Sequence, residues 1–256
     1  MAEPNPPECA ECCVAYLDIM GYKQLVDEAV KQAKTRDEIS RIRKAIDWVM
    51  DKPEWLGEAR IRVFSDCVLV VAGSTEAACF SALECTMHVA GRLAYDDLCV
   101  RGALTYGLHF DDDVVLFSPA LVTAYGMEKS EAFYPRVLVD SEFVDHCNAV
   151  ASTERHRAFM RNIWDDQDRR AFLSYLGVIS WEPAHEKQAR NLLSGHKRNI
   201  ERRLEQHADD PAVAAKYGWL ASYHNRFCRE ALPPGVGEQY LIADASGQQP
   251  RELLSK

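Results

Sequence analysis

One apolar run that contains a single acid constrains this chain more than any other stretch. Residues 14–23 have the sequence VAYLDIMGYK, in which Asp18 interrupts the apolar residues shortly before Gly21. This pattern predicts a short buried strand that turns at the glycine into a helix. Because a buried carboxylate is costly without a counter-charge, a bound divalent cation would explain Asp18. The alternative is that Asp18 only caps the following helix.

A second acid separates two runs that are rich in β-branched residues. Residues 62–71 have the sequence RVFSDCVLVV, and we expect Asp66 to lie at or near the bend of a hairpin between two strands. Two strands that each present one aspartate suit a two-metal phosphoryl-transfer site. The alternative is that Asp66 is an ordinary turn residue, and for either acid taken alone the plain structural role is favoured.

Composition narrows the class of protein. The chain has 256 residues, of which 47% are hydrophobic, so it can bury a sizeable core. Its formal charge of −9 argues against nucleic acid as a partner, whereas a phosphate-bearing small substrate is compatible because metals invert the local charge. The N-terminal residues do not form a signal peptide, and no apolar segment approaches the ~20 residues that span a bilayer. We therefore expect a soluble, cytoplasmic protein with no membrane partner.

The nine cysteines are an odd number and show no spacing typical of a disulfide framework, which favours a reducing compartment. Four of them lie in apolar segments and are expected to be small core residues: Cys67, Cys79, Cys85 and Cys99. A cluster of Cys9, Cys12 and Cys13 has no second cysteine pair or histidine pair to complete four ligands. A zinc site at this cluster is therefore disfavoured.

Hydrophobic periodicity predicts the order strand, helix, helix, strand, strand, helix, strand, strand, helix, strand. This order indicates an α+β fold, with helices on a mainly antiparallel sheet. The second helix is expected to start with a capping box at Thr35 and Glu38 and to end before Pro53. From about residue 165 onward the pattern is helical, and an aromatic-rich segment at residues 216–224 is expected to dock on the core.

Three motifs, in order, resemble those of the class III nucleotidyl cyclases. Residues 16–22 (YLDIMGY) resemble that family's aromatic-x-Asp-Ile-x-Gly-Phe motif, Ser65-Asp66 stands where the family has Gly-Asp, and residues 100–107 (VRGALTYG) are similar to its Arg-x-Gly-Ile-x-x-Gly strand. The resemblance covers about residues 12–140 and implies a ferredoxin-like sheet. It divides the chain into a flexible segment at 1–11, a catalytic domain at 12–150 and a mainly helical extension at 151–256.

The resemblance also implies a metal site and a dimer. Asp18 and Asp66 would hold two Mg²⁺ or Mn²⁺ ions, with the backbone carbonyl of Ile19 as a further ligand. The backbone N–H groups that would cradle phosphate oxygens at the start of the next helix are those of Met20, Gly21 and Tyr22. In this family the active sites form between two catalytic domains, so a chain with one such domain is expected to be a homodimer.

The chain departs from the purine-specific members at the positions that read the base. Their base-reading lysine is replaced by Arg62, and a gapless placement puts Val115 where they carry an aspartate. The same placement puts Val122 and Gly126 where they carry the asparagine and arginine that position the ribose and stabilise the transition state. A valine cannot hydrogen-bond a purine, and a glycine cannot neutralise a developing phosphorane.

Several other side chains are candidates for the missing roles. Arg62 is expected to reach the base or the phosphates. Arg101 is expected either to point into the dimer cleft or to pair with an acid at residues 111–113. Tyr125 is expected either to bind base or ribose or to pack in the core. Lys129 and Arg136 are expected either to neutralise phosphate charge or to lie on a solvated surface. Thr123 lies on the same predicted helix as Tyr125 and could hydrogen-bond base or ribose.

The subgroup that the chain resembles is the pyrimidine cyclases of the bacterial Pycsar antiphage system. Similar features are residues 120–125 (ALVTAY), 128–129 and 134–136, together with a helical C-terminal part. The resemblance implies conversion of UTP, or less favoured CTP, to the 3′,5′-cyclic monophosphate and pyrophosphate, and a separate effector that responds to the product. The alternatives are a purine cyclase, and a catalytically silent nucleotide-binding module that dimerises.

Overall fold

The N-terminal half of the chain folds in the predicted order of strands and helices. The computed structural model describes residues 8–51, 56–112, 114–179 and 184–243. The first seven elements are β1 (Ala10–Ile19), α1 (Tyr22–Lys31), α2 (Thr35–Met50), β2 (Arg60–Phe64), β3 (Cys67–Ala72), α3 (Glu76–Tyr95) and β4 (Val100–Asp111).

The following part of the chain adds further helices and short strands. Its elements are β5 (Leu116–Phe117), α4 (Pro119–Glu131), β6 (Val137–Val139), α5 (Ser141–Val150), α6 (Glu154–Phe159), β7 (Ile163–Asp165), β8 (Ala171–Leu173), α7 (Glu186–Gln206) and α8 (Pro211–Glu230). Helix α4 begins with Pro119 in its first turn and Ser118 as its N-cap, which accepts a hydrogen bond from the Leu121 N–H.

The strands form one sheet in the order β2-β3-β1-β4-β6-β8-β7, with β5 paired to β4. All pairs are antiparallel except β4 with β6. The prediction of an α+β fold with a mainly antiparallel sheet flanked by helices is confirmed. The β-α-β-β-α-β connection and the order of β2, β3, β1 and β4 are those of a ferredoxin-like sheet.

Side chains alternate between the two faces of this sheet. On β1, Ala15, Leu17 and Ile19 belong to the main core, into which α3 also packs. The alternate residues, among them Tyr16 and Asp18, project to the other face, which α4 covers in part. This second face carries the candidate site, because Asp18 is directly opposite Arg101 on β4 and Cys67 on β3.

The C-terminal part contributes strands as well as helices, since β8 pairs with β6 and β7 pairs with β8. The sheet therefore continues past residue 150, and β1 starts at Ala10, before the predicted boundary at residue 12. The domain boundaries themselves remain predictions. Docking of the aromatic-rich segment on the core is confirmed, since Leu220, Tyr223 and His224 of α8 are buried.

One local prediction is wrong. Thr35 does not cap α2, because the N-cap residue is Lys34 and no side chain accepts a cap hydrogen bond there. The cysteine cluster does not converge on one point, because Cys12 and Cys13 are neighbours on a strand and project to opposite faces. Cys13 instead contacts Cys79, with 3.5 Å between the sulfurs. Pro53 lies outside the described residues.

The predicted core cysteines Cys67, Cys79 and Cys85 are buried, and Cys99 is partly buried; all are free thiols. This agrees with their apolar sequence context. Over the part of the chain that the structure describes, no helix combines the length and the apolar character required to cross a membrane.

Candidate active site

The hairpin between β2 and β3 brings the second acid to the end of β1. Ser65 has a left-handed backbone conformation with φ of 55° in the two-residue turn, a conformation that favours glycine. The N–H of Ile19 donates a hydrogen bond to the carbonyl of Asp66 at 2.8 Å. The predicted hairpin bend at Asp66 is confirmed, and this hydrogen bond fixes the bend beside Asp18.

Three possible ligand groups converge at this point. Atoms of Asp18, Asp66 and Cys67 all lie within 4.8 Å of one another. The Cys67 sulfur lies 2.9 Å from the Tyr16 hydroxyl, and burial raises the pKa of the thiol. A protonated thiol is a poor ligand for a hard cation, so the two carboxylates are the chemically suitable donors.

A single arginine lies between two acids on the same face. The Arg101 Nε atom donates to Asp18 Oδ2 at 3.2 Å and lies 2.7 Å from Glu128 Oε1 on α4. Burial raises the pKa of Asp18; Arg101 lowers it and Asp66 raises it further. Burial also raises the pKa of Glu128, against the effect of Arg101.

These groups fit a hard divalent cation. Three carboxylates, those of Asp18, Asp66 and Glu128, face the one guanidinium of Arg101, so the site carries excess negative charge. Mg²⁺ and Mn²⁺ prefer oxygen ligands and are commonly held by one or two carboxylates together with substrate phosphates. Asp18 and Asp66 would hold the cation, and Ile19, at the end of β1, follows Asp18 directly.

The start of α1 follows the site immediately. Gly21 has φ of 73° and is the N-cap residue, so the predicted turn at the glycine is confirmed and Asp18 does not cap this helix. The N–H of Met20 donates to the carbonyl of Cys99 at 2.9 Å and is therefore not free for the predicted phosphate contact. Of the predicted cradle, this leaves the N–H groups of Gly21 and Tyr22.

Arg62 has an acidic partner that the gapless placement did not identify. Its guanidinium donates to both oxygens of Asp111, at 2.6 Å each. Asp111 lies four residues before Val115, so the gapless placement missed the acid that this arginine binds. His109 lies on the same face of β4; it is 4% exposed, and neither ring nitrogen has a hydrogen-bond partner among the described residues.

Arg101 pairs with neither Asp111 nor Asp112 and contacts Asp18 and Glu128 instead; Asp113 lies outside the described residues. Tyr125 is 45% exposed and packs edge-on against Tyr16, with ring centroids 5.6 Å apart. Core packing is therefore the wrong reading for Tyr125, whose ring borders the site.

The remaining α4 candidates differ in their surroundings. The Thr123 hydroxyl donates to the carbonyl of Pro119 at 3.2 Å, so it already has an acceptor. Lys129 is exposed and lies over the ring of Tyr125, with its nitrogen 5.7 Å from the centroid. Val122 is 72% exposed, and Gly126 has open space beside it. Val122 and Gly126 therefore lie on an uncovered surface of the helix.

Arg136 contradicts both of its predicted roles. Its side chain is fully buried and forms ion pairs with Asp166 and Asp168 of the C-terminal part. Trp219 also donates to Asp166 at 2.8 Å. This arginine neither reaches a phosphate nor lies on a solvated surface; it holds two regions of the chain together.

Sequence reasoning did not place Glu128 or His109 on this face, and it considered the acids at residues 111–113 as partners of Arg101 and not of Arg62. A partial signal was available for Glu128, since it lies four residues after Ala124 on the buried side of α4. No local pattern connects Arg62 with Asp111, because the two residues are 49 positions apart.

No protein-family profile matches the sequence, and no curated protein matches it either. Among solved structures, the adenylyl cyclase CyaB from P. aeruginosa is similar with a TM-score of 0.45 and 15% identity, over 65% of this chain and 93% of that chain. The monomeric guanylyl cyclase domain of the RhoGC fusion protein from Blastocladiella emersonii has a TM-score of 0.46 and 14% identity, over 64% and 96%.

A bacterial light-regulated adenylyl cyclase has a TM-score of 0.44 and 12% identity, over 74% of this chain and all of that chain. These solved structures are adenylyl and guanylyl cyclases. Similarities this weak do not decide what the present chain binds or converts.

Proposed function

We propose that this protein is a metal-dependent nucleotidyl cyclase, with UTP favoured over CTP as substrate. The observation that carries the proposal is the convergence of the Asp18 and Asp66 carboxylates within 4.8 Å, at the ends of two paired strands. The three sequence motifs that resemble class III cyclases contribute these acids and Arg101. The proposed preference for a pyrimidine base is supported only by the resemblance of the sequence to the pyrimidine cyclases.

In the proposed reaction the ribose 3′-oxygen attacks the α-phosphorus of the nucleoside triphosphate. A 3′-O–P bond forms, the bond between the α- and β-phosphates breaks, pyrophosphate leaves and the hydroxyl proton passes to solvent. Divalent cations held by Asp18 and Asp66 would lower the pKa of the 3′-hydroxyl and neutralise the phosphates and the pyrophosphate. The carbonyl of Ile19 is proposed as a further ligand.

The chain's own residues supply complementary contacts. The N–H groups of Gly21 and Tyr22 begin α1 and can donate to phosphate oxygens, where the helix dipole also favours negative charge. Arg101 contributes a positive charge beside the carboxylates, and charge-assisted hydrogen bonds to phosphate are stronger than neutral ones.

A base-binding role is proposed for the Arg62–Asp111 pair. The pair offers donors and an acceptor side by side, and a nucleobase edge requires both. His109 adds a buried ring that can donate or accept, and Tyr125 adds a hydroxyl at the border of the site. Because uracil, cytosine and purines all present donors and acceptors, these residues do not by themselves select one base.

A homodimer is part of the proposal. Large apolar side chains remain exposed around the β4–β5 hairpin and on α4, which is unusual for the surface of a monomer; they are Val114, Val115, Leu116, Phe117 and Val122. A second copy of the chain would cover them and could supply contacts that this copy lacks at Gly126. The antiphage role and the separate effector are supported by the resemblance alone.

The experiment is to incubate the purified protein with Mn²⁺ and ATP, GTP, CTP or UTP in separate reactions and to detect cyclic nucleotide by mass spectrometry. We expect cyclic UMP, and a loss of more than about 10³-fold in Asp66→Asn, since a two-metal reaction requires both carboxylates. The matched control is Asp145→Asn, which changes an exposed acid on α5 and should retain activity.

Other products would redirect the proposal. Cyclic AMP or cyclic GMP would contradict the pyrimidine preference and leave a purine cyclase. If no reaction gives product while the protein still binds nucleotide, the cyclase proposal fails and a silent nucleotide-binding module is the better description.

A further inference from the structure

Glu128 is an unusual residue for its position. Its side chain is only 4% exposed, and among the described residues its Oε1 atom has no aligned hydrogen bond although Arg101 Nε lies 2.7 Å away. A buried carboxylate is costly to desolvate, and α4 could have buried an apolar residue here at lower cost. The placement of an acid at this point therefore needs an explanation.

The geometry of Arg101 suggests one. The single Nε–H group is directed to Asp18, with which it forms the hydrogen bond, while Glu128 receives only an ionic contact. One N–H group cannot align with two carboxylates at once. Arg101 thus has a current partner on β1 and a second acceptor within reach on α4.

Asp18 cannot serve a cation and Arg101 equally well. The carboxylate that is proposed to bind a divalent cation is the one that holds the arginine in this structure. If Arg101 had no other acceptor, its release from Asp18 would leave a guanidinium in the half-buried site without a partner. Glu128 removes that penalty, because it is already in contact with the same nitrogen.

We propose that Glu128 is a positioning residue that retains Arg101 in the site when Asp18 is used as a metal ligand. This inference rests on the proposed function and deepens it. Arg101 exchanges its hydrogen bond to Asp18 for one to Glu128, and it stays beside the carboxylates as a cation available to the triphosphate. Glu128 acts through Arg101 and is not itself assigned as a ligand.

The test is a double-mutant cycle on metal affinity, measured by isothermal titration of Mn²⁺ into the protein without nucleotide. Glu128→Gln keeps the shape of the side chain but removes the negative charge that competes with Asp18 for Arg101, so Arg101 should remain on Asp18. We expect Mn²⁺ to bind about 5- to 50-fold more weakly, which lies within the range of coupling seen between contacting residues of one network.

Arg101→Gln removes the competing cation and should bind Mn²⁺ at least as tightly as the wild-type protein. In the double variant Arg101→Gln/Glu128→Gln, the weakening caused by Glu128→Gln should disappear. If the weakening persists without Arg101, Glu128 acts on the metal directly through its charge, and the inference is overturned.

A role of Glu128 in packing alone predicts a different result. It would lower the melting temperature while leaving Mn²⁺ affinity unchanged, and this outcome also overturns the inference. Circular dichroism checks that each variant folds, and Glu128→Asp, which keeps the charge, should restore part of the affinity. Failure of the metal site is distinguishable, because Mn²⁺ binding by the wild-type protein would then be absent or unchanged by Asp18→Asn. Failure of the proposed cyclase activity is seen separately, as the absence of cyclic nucleotide from all four triphosphates.

Discussion

Two arginines in this protein each lie between a pair of carboxylates, in contrasting surroundings. Arg136 is fully buried between Asp166 and Asp168, at the junction of the α4–β6 connection with the C-terminal part. Arg101 is 34% exposed and lies on the sheet face that α4 covers only in part. The same combination of charges therefore occurs once inside the molecule and once at a surface.

The groups that surround the two acids in each cluster explain why the two arginines differ in role. At Arg136 the acids have further donors, since Trp219 donates to Asp166 at 2.8 Å and the Arg170 N–H donates to Asp168 at 3.2 Å. Around Arg101 there is instead an excess of negative charge, because Asp66 adds a third carboxylate. Although the Arg136 Nε atom has no hydrogen-bond partner among the described residues, a cluster whose acids accept further N–H groups is suited to holding the fold together. A cluster with a third carboxylate is suited to a cation.

The largest expected effect separates the two arginines directly. Arg136→Met should lower the free energy of unfolding by about 3–5 kcal/mol, because it removes the charge-assisted hydrogen bonds of a fully buried guanidinium to both Asp166 and Asp168. Arg101→Met should cost less, about 1–2 kcal/mol, because it removes one hydrogen bond, that to Asp18, and an ionic contact to Glu128. Urea unfolding at pH 7 measures both values, and equal losses would contradict the distinction between the clusters.

Removal of one acid from each cluster should have opposite consequences. Asp168→Asn should destabilise the protein by about 1.5–3 kcal/mol, because a charge-assisted hydrogen bond to Arg136 is weakened. Asp66→Asn should leave the stability unchanged or raise it by up to about 0.5 kcal/mol, since it relieves repulsion with Asp18.

The addition of Mn²⁺ sharpens this second comparison. It should raise the melting temperature of the wild-type protein and of Asp168→Asn, because a ligand that binds only the folded state stabilises it. It should not raise that of Asp66→Asn. A similar rise in all three proteins would mean that the cation binds elsewhere.

The smallest effect is a difference in pH dependence. Burial raises the pKa of Asp18 despite Arg101, so the folded protein binds this proton more tightly than the unfolded chain does. Stability relative to Asp18→Asn should therefore increase as the pH falls through the raised pKa, down to the unfolded value of about 3.9.

Asp168 should behave in the opposite way. Burial acts to raise its pKa, but the hydrogen bond and charge of Arg136 lower it overall. Its contribution is present above the unfolded pKa of about 3.9 and is lost as the pH falls through the folded value. The measurement is the unfolding free energy of the wild-type protein and of each variant between pH 7 and 3. The difference between wild type and Asp18→Asn should change with pH in the opposite direction to the difference between wild type and Asp168→Asn.

The sequence alone was enough to predict the order of strands and helices, the turn at Gly21 and the hairpin bend at Asp66. These features depend on hydrophobic periodicity and on turn residues that act within a few positions. The predicted capping box at Thr35 was wrong because it rested on a local motif alone. A local motif is one option for a helix start, and here the chain begins the helix one residue earlier without it.

Charge partners were decided only by the tertiary structure. Arg62 binds Asp111 and Arg136 binds Asp166, partners that lie 49 and 30 residues away in the chain. Nothing in the local sequence distinguishes a buried arginine from a solvated one, because burial follows from which elements pack together. Glu128 joins the site for this reason: it lies on α4, and only the packing of α4 against β1 and β4 brings it to Arg101.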